Sequence, residues 1–372
     1  MPPRTLTVLA PIRPGEVEPL RAILRPIGDD IRGRRIAERP GQPRIEFLQS
    51  RRIHFARFAV LADPDRGPDR HRLLYSASYD GGLDDHLAEL VAITSDLEAI
   101  WGRCEGYPGA AGFASFIRAH AHEPGAFYIA FRDVTVDSVR DAAPAVRSGA
   151  INRFLRAAPL VADVARAIAR FGIANVVRGG QRIVASLNRY PLFRITNRLT
   201  RNRMPPMQSP YSSVELDNCT LPGPLPPSFR EDVVTQNQLT LITVIRPGLA
   251  DRVGAVLAAI DGYAKRLAPP GSLIGISTIH FVKWQVIDDG RRLMMVSDYD
   301  GSWESYIDEF AEMILSGLDA IWETANGYPP DGARDLPAFK RFLRSHQAPA
   351  EVFFSAYPDK TILNIAADPG RS

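Results

Sequence analysis

An α+β fold made of two successive copies of one strand-helix-strand-strand-helix-strand unit is what the sequence predicts, and three observations predict it. One ordered set of markers occurs twice, in 4–131 and again in 237–357. The apolar spacing in each copy changes from a period of two to helical spacing at matched places. The second strand keeps the same alternation in both copies, so equivalent residues share a face. The markers of the first copy are Leu6-Thr7, Ile12-Arg13-Pro14-Gly15, Ile53-His54-Phe55, Tyr79-Asp80-Gly81, Ile100-Trp101, Gly106-Tyr107-Pro108 and Arg118-Ala119-His120. Those of the second are Leu239-Thr240, Ile245-Arg246-Pro247-Gly248, Ile279-His280-Phe281, Tyr299-Asp300-Gly301, Ile321-Trp322, Gly327-Tyr328-Pro329 and Arg344-Ser345-His346.

In the second copy, 239–245 is rich in Thr, Ile and Val and stops at Pro247-Gly248, a strand followed by a turn. Residues 250–267 then place Val253, Val256, Leu257, Ile260 and Ala264 at helical spacing. The second strand, 280–287, sets His280, Val282, Trp284 and Val286 on one face and Phe281, Lys283, Gln285 and Ile287 on the other. Asp288-Asp289-Gly290 supplies the hairpin turn into a third strand, 293–299. The first copy puts His54, Ala56, Phe58 and Val60 opposite Phe55, Arg57, Ala59 and Leu61, with a longer Pro-containing hairpin loop over 63–70. A second helix is expected over 83–101 and 303–322, and a last apolar strand over 126–131 and 352–357. This order is that of the split β-α-β, or ferredoxin-like, unit. A sheet of that kind carries helices on one face, and the tandem copy is the natural cover for the other. The sequence therefore predicts two ferredoxin-like repeats, 1–149 and 237–372, facing each other as an intramolecular pseudo-dimeric α/β barrel.

Between them lies 150–236, a basic amphipathic helical connector followed by a Pro- and Ser-rich linker. From 151 to 203 the chain holds eleven arginines against the single acid Asp163, whereas the whole chain carries a formal charge of only +3. Val161, Val164, Ile168 and Phe171 form an apolar stripe there, and Arg166, Arg170, Arg178 and Arg182 suit an anionic membrane surface. Docking of the connector on the barrel, with its arginines solvated or paired, is the alternative. Specific nucleic-acid binding is not expected, because no aromatic platform is interleaved with the cations. Two cysteines, Cys104 and Cys219, make no disulfide framework, and the chain shows no apolar leader and no run long enough to span a bilayer. The expected location is cytoplasmic, with peripheral membrane contact through the connector.

The order of elements resembles the dimeric α/β barrel superfamily, whose haem members include the dye-decolorising peroxidases and the chlorite dismutases. Against the Gly-x-x-Asp-Gly haem-distal motif of the former, the strings ending in Asp80-Gly81 and Asp300-Gly301 keep Asp-Gly and lack the first glycine. The resemblance implies a haem-dependent, peroxidase-like oxidoreductase, with His280 or His346 as axial ligand, His54 and His120 as their counterparts, and Arg57 or Lys283 near the propionates. Asp80 and Asp300 would then stabilise a distal ligand or move a proton.

Each candidate also has a structural reading. Asp80 and Asp300 precede Gly at a strand-to-helix junction, which is turn and helix N-terminus chemistry. His54 and His280 at a strand entrance suit a partly buried core imidazole satisfied by one backbone carbonyl, and His120 and His346 at a helix end suit a cation complementing the C-terminus. The Asp84-Asp85-His86 cluster reads as a solvated first helical turn. Arg57 and Lys283 stand at matched positions between apolar neighbours and need an anionic partner, either Asp298 or Asp300 or the carboxylate or phosphate of a ligand. From a different functional class, the alternative to a haem enzyme is a non-catalytic accessory protein that binds an apolar anionic small molecule, or a partner enzyme, at a membrane surface.

Overall fold

The computed structural model describes residues 2–31, 43–141 and 235–366. The first part runs β1 (Arg4–Pro11), α1 (Val17–Ile31), β2 (Ile53–Ala62), β3 (His71–Tyr79), α2 (Leu83–Ile93), α3 (Leu97–Trp101), α4 (Phe113–Ala119), β4 (Ala126–Ile129) and α5 (Val136–Asp141). The second runs β5 (Gln236–Val244), α6 (Ala250–Arg266), β6 (Ile279–Ile287), β7 (Arg292–Asp300), α7 (Trp303–Trp322), α8 (Leu336–Ser345), β8 (Val352–Ser355) and α9 (Ile362–Ala366). The chain is thus α+β, with two four-stranded antiparallel sheets. The basic connector, including Arg166, Arg170, Arg178 and Arg182, lies outside the described residues.

The strand order departs from two self-contained units. The sheets read β1-β3-β2-β8 and β4-β6-β7-β5, so the last strand of each half joins the sheet of the other. Phe353 pairs with Arg57 in one sheet, and Phe127 pairs with Lys283 in the other. The ladders continue past the strands, since Ala356 N–H donates to His54 O and Ala130 N–H to His280 O, both at 2.9 Å. Without this exchange the outer edges of β2 and β6 would be bare, in a part of the chain where every residue but one is buried or nearly so.

One face of each sheet packs under helices and the other faces the opposite sheet. Val8, Phe58, Tyr75 and Trp101 belong to the helix-side core, as do Leu239, Trp284 and Trp322. Leu9, Ala59, Leu61 and Leu74 meet Ile242, Ile287, Met294 and Val296 in a smaller cluster between the sheets. Among the described residues the two sheets stay open and do not close on each other.

Three local expectations change. The second helix of the first half is broken: Thr94 leaves the helical conformation with its hydroxyl bonded to Leu90 O at 2.6 Å, and Asp96 caps a new helix through Ala99 N at 2.9 Å. Its counterpart α7 continues as one element with a kink at Ile314. The alternation in β2 and β6 fails at one residue, because bulges lie between Ile53 and Phe55 and between Ile279 and Phe281. His54 and His280 occupy those bulges and are turned out of the face of Phe58 and Trp284.

The third change concerns His86, which is fully buried, not solvated, although Asp84 and Asp85 beside it are exposed. Leu83, His86, Leu87 and Leu90 form one helical stripe, so the imidazole turns inward. Its ring stacks on Tyr79 with centroids 4.0 Å apart, as Tyr306 stacks on Tyr299 at 3.9 Å in the other half. Burial, with Arg52 adding to it, pushes the His86 pKa from 6.5 down to about 3. The folded protein keeps this ring neutral while the unfolded chain protonates it below 6.5, so its contribution is present above that pH and is lost as pH falls toward 3. Going from pH 7 to pH 5, wild-type protein should lose about 2 kcal/mol more stability than His86→Phe. Urea unfolding at the two pH values measures the difference, and equal losses would contradict the assignment.

Candidate functional site

The polar layer between the sheets is built from the residues that strand alternation turns inward. Arg57, on β2, is 1 % exposed and reaches across to the second half. One guanidinium nitrogen donates to Gln238 Oε1 and Leu239 O, each at 3.0 Å, and to Thr240 Oγ1 at 3.2 Å. The other donates to Ser297 O at 3.0 Å and to the Asp298 carboxylate. The Phe353 ring lies 5.7 Å from the guanidinium carbon. Burial pushes Arg57 down and Asp298 opposes the shift, but a guanidinium keeps its proton in proteins. Arg57 therefore has the internal carboxylate partner that one sequence reading called for, and that partner is Asp298.

Lys283 is the matched cation of β6 and reaches the opposite way, donating to Thr5 Oγ1 at 2.6 Å and Leu6 O at 2.8 Å. Thr5 passes its own proton to Ala77 O at 3.0 Å, so its hydroxyl accepts from the amine. Where Asp298 stands two residues before Asp300, Ser78 stands two residues before Asp80. Asp298 therefore bonds Arg57 and acts on Lys283 only through its charge. Burial, reinforced by the Arg57 charge and only partly offset by Asp298, holds the Lys283 pKa well below its usual range.

At one end of this layer sit the two His–Asp pairs. His54 Nε2 lies 3.0 Å from Asp80 Oδ1 and its Nδ1 lies 2.9 Å from the Tyr357 hydroxyl. His280 Nε2 lies 2.8 Å from Asp300 Oδ1. The second oxygen of Asp80 accepts from Val136 N at 2.8 Å, and that of Asp300 from Ile362 N at 2.7 Å. Each aspartate thus holds the first turn of the helix that follows an exchanged strand, α5 or α9. It does not cap the helix next to it in sequence, where Gly82 and Ser302 occupy the cap. Gly81 and Gly301, at φ 86° and 82°, make the turns that the Asp-Gly pairs predict.

The remaining two imidazoles are helix ends. His120 Nδ1 lies 2.9 Å from Phe116 O and His346 Nδ1 lies 2.7 Å from Phe342 O, each ring packing on the same phenylalanine. Burial lowers the His346 pKa although the Phe342 carbonyl opposes it, so His346 caps its helix as a neutral N–H donor and not as the expected cation. At the far end of the layer Asp288 receives Arg72 at 2.5 Å and Arg292 at 2.6 Å. Burial alone would raise the Asp288 pKa, but the two guanidiniums reverse this and lower it.

The residues present do not fit a haem. The slot bounded by Phe55, Arg57, Ser78, Phe281, Lys283 and Asp298 leaves no volume that a water molecule could occupy. His54 and His280 are buried and committed to carboxylates, and His120 and His346 to helix ends. Among the described residues no three His, Cys, Asp or Glu side chains converge on a metal position, and no helix is long and apolar enough to cross a membrane.

The available space lies elsewhere. A cavity of about 330 Å³ opens between α1, the 44–48 segment and the ends of β5 and β8. Ile27, Ile45, Phe47 and Phe354 give it apolar walls, with the Phe47 and Phe354 rings stacked at 4.8 Å. Asp30, Arg44 and Glu46 stand among the lining, and Gln238 and Phe353 form the side nearest Arg57. Helix α1 approaches β8 so closely that a Cβ on Gly28 would strike Glu351 O, which fixes one wall. Glu351 braces the same approach by accepting from Val60 N on β2 at 2.9 Å and from Arg21 on α1 at 3.2 Å. Sequence reasoning missed this cavity and Gln238; the signal available was that inward-facing Arg57 required polar partners on the strand opposite it.

No protein-family model, curated protein or solved structure matches the chain. The polar layer generates a prediction. Asp298→Asn leaves a buried guanidinium without its counter-charge and should cost about 3–5 kcal/mol. Lys283→Met removes an amine whose charged form burial disfavours and should cost about 1–3 kcal/mol for the two neutral acceptors it orphans. Equilibrium urea unfolding ranks the two, and a larger loss for Lys283→Met would show that the lysine carries the buried charge.

Proposed function

We propose that this chain is a non-catalytic binding protein that encloses an apolar small molecule between α1 and the exchanged strand β8. The cavity of about 330 Å³ carries the reading, being within the size range of small-molecule sites and apolar over much of its wall. Among the described residues its lining holds no histidine, cysteine or lysine, and the serine among them, Ser355, is occupied in donating to Gln236 Oε1 at 2.5 Å. Among the described residues no nucleophile with an adjacent base faces the space, which favours enclosure over chemistry. Among the described residues of the lining, the two carboxylates of Asp30 and Glu46 against the one guanidinium of Arg44 favour a neutral ligand over the anionic one expected from the sequence.

The frame fits an internally duplicated ferredoxin-like unit arranged as a pseudo-dimer of the α/β barrel type. In its support, His54 and His280, Asp80 and Asp300, and Arg57 and Lys283 occupy equivalent places in the two sheets. A haem peroxidase on the same frame has less support, since none of the four candidate imidazoles lines the cavity.

Ala350 lines the cavity and is 4 % exposed, so Ala350→Trp should fill the space. N-phenyl-1-naphthylamine, a neutral fluorescent apolar probe, should bind wild-type protein at one site and bind Ala350→Trp at least tenfold more weakly, with the variant still melting cooperatively. Equal binding by the two proteins would overturn the assignment. Haem titration provides the competing outcome, because a histidine-ligated Soret band abolished by His280→Ala would restore the peroxidase reading.

A further inference from the structure

Gln238 presents the feature of the cavity that its apolar character does not explain. The side chain is buried, at 7 % exposure, and lies on the cavity wall. Its amide oxygen accepts from Arg57 at 3.0 Å and from Thr240 Oγ1 at 3.4 Å. A guanidinium offers donors only, so the oxygen must face Arg57 and the amide cannot be turned over. The amide nitrogen then projects from the opposite side of the same carbon and has no hydrogen-bond partner among the described residues. The neighbouring Gln236 differs, because its oxygen accepts from Ser355 and its nitrogen donates to Lys360 O, both at 2.5 Å.

An N–H pair held in one orientation on the cavity wall and without a protein partner favours an occupant that accepts from it, because an occupant with no acceptor would strip its hydration without replacing it. We propose that Gln238 Nε2 donates to an acceptor on the enclosed molecule, so that the ligands of this cavity are neutral apolar compounds bearing a carbonyl, as in a ketone or an ester. Gln238 is then the specificity-determining residue. Arg57 is a positioning residue, which acts by fixing the amide and does not touch the ligand. Asp30 and Glu46 in the same lining set a neutral carbonyl above a carboxylate. Because a site of this kind rejects a ligand lacking the matching group far better than it rejects a change of length, the acceptor matters more than the chain that carries it.

This inference rests on the cavity being a ligand site, and the test separates the two claims. Binding of N-phenyl-1-naphthylamine, which lacks a carbonyl, reports the cavity itself; displacement of that probe by 2-decanone, decanoate and decylamine reports the acceptor. Wild-type protein should prefer 2-decanone to the other two. Gln238→Leu should weaken 2-decanone about tenfold, the usual loss for one buried hydrogen bond, and leave the probe unchanged. Gln238→Glu, nearly isosteric and still able to accept from Arg57, should also lose the ketone, and it serves if the leucine variant does not fold. The bound ketone's carbonyl stretch should lie at lower frequency than in hydrocarbon solvent, return toward that value in either variant, and broaden in Arg57→Lys. Failure of the probe to bind wild-type protein would remove the cavity reading itself. Normal probe binding, with ketone affinity and carbonyl frequency unaltered by both Gln238 substitutions, would overturn the role of Gln238 alone.

Discussion

Exchange of the last strand between the halves is the constraint from which the rest of the structure follows. Strands β2 and β6 are buried along nearly their whole length, and each would end its sheet as an unpaired edge without β8 or β4 from the other half. Backbone groups in such a place must be paired. The exchange pairs them and brings two distant stretches of chain to each sheet. Asp80 and Asp300 then complete the crossing, because each anchors the helix that the exchanged strand leads into while holding the imidazole of the bulge beneath it. The two His–Asp pairs thereby fasten the crossing at both places.

The polar layer depends on the same crossing. Arg57 can satisfy its guanidinium only because β5 and β7 lie across from β2, and Phe353 reaches its face only because β8 has joined that sheet. A buried ion pair seldom adds net stability relative to an apolar core, but losing one partner is costly, so such a pair enforces one arrangement of the sheets. The pairing is unequal between the halves. Asp298 has only Ser78 as its counterpart, which leaves Lys283 to two neutral acceptors and Arg57 as the fixed charge. That fixed charge sets the orientation of Gln238 and thereby the polar character of the cavity wall.

Much of this frame was legible in the sequence. The alternation 57–59–61 and 283–285–287 placed Arg57 and Lys283 between the sheets, and Asp-Gly at 80–81 and 300–301 gave the turns. Asp298 or Asp300 is the internal partner that the sequence suggests for the two cations, and Arg57 meets Asp298 while Lys283 donates to neutral oxygens. The misreadings share a cause, which is that periodicity describes one segment at a time. A single inserted residue turned His54 and His280 from the face that strict alternation assigns them. Asp84 and Asp85 are exposed as their charge suggests, while His86 follows the helical stripe inward. The exchange itself leaves no local trace, because 126–129 and 352–355 have the same character whichever sheet they join. The cavity is equally hidden, being formed by α1, a loop and strands from both halves.

The direct test of the exchange is denaturant-dependent hydrogen exchange read by mass spectrometry on the full chain. Peptides covering 126–129 should become exchangeable together with those of 279–287, and peptides covering 352–355 with those of 53–62, each pair with a denaturant dependence of its own. Such coupling requires each last strand to be part of the other half's sheet. Exchange of 126–129 in step with 53–62, while 279–287 remains protected, would show that each half keeps its own last strand and would contradict the account.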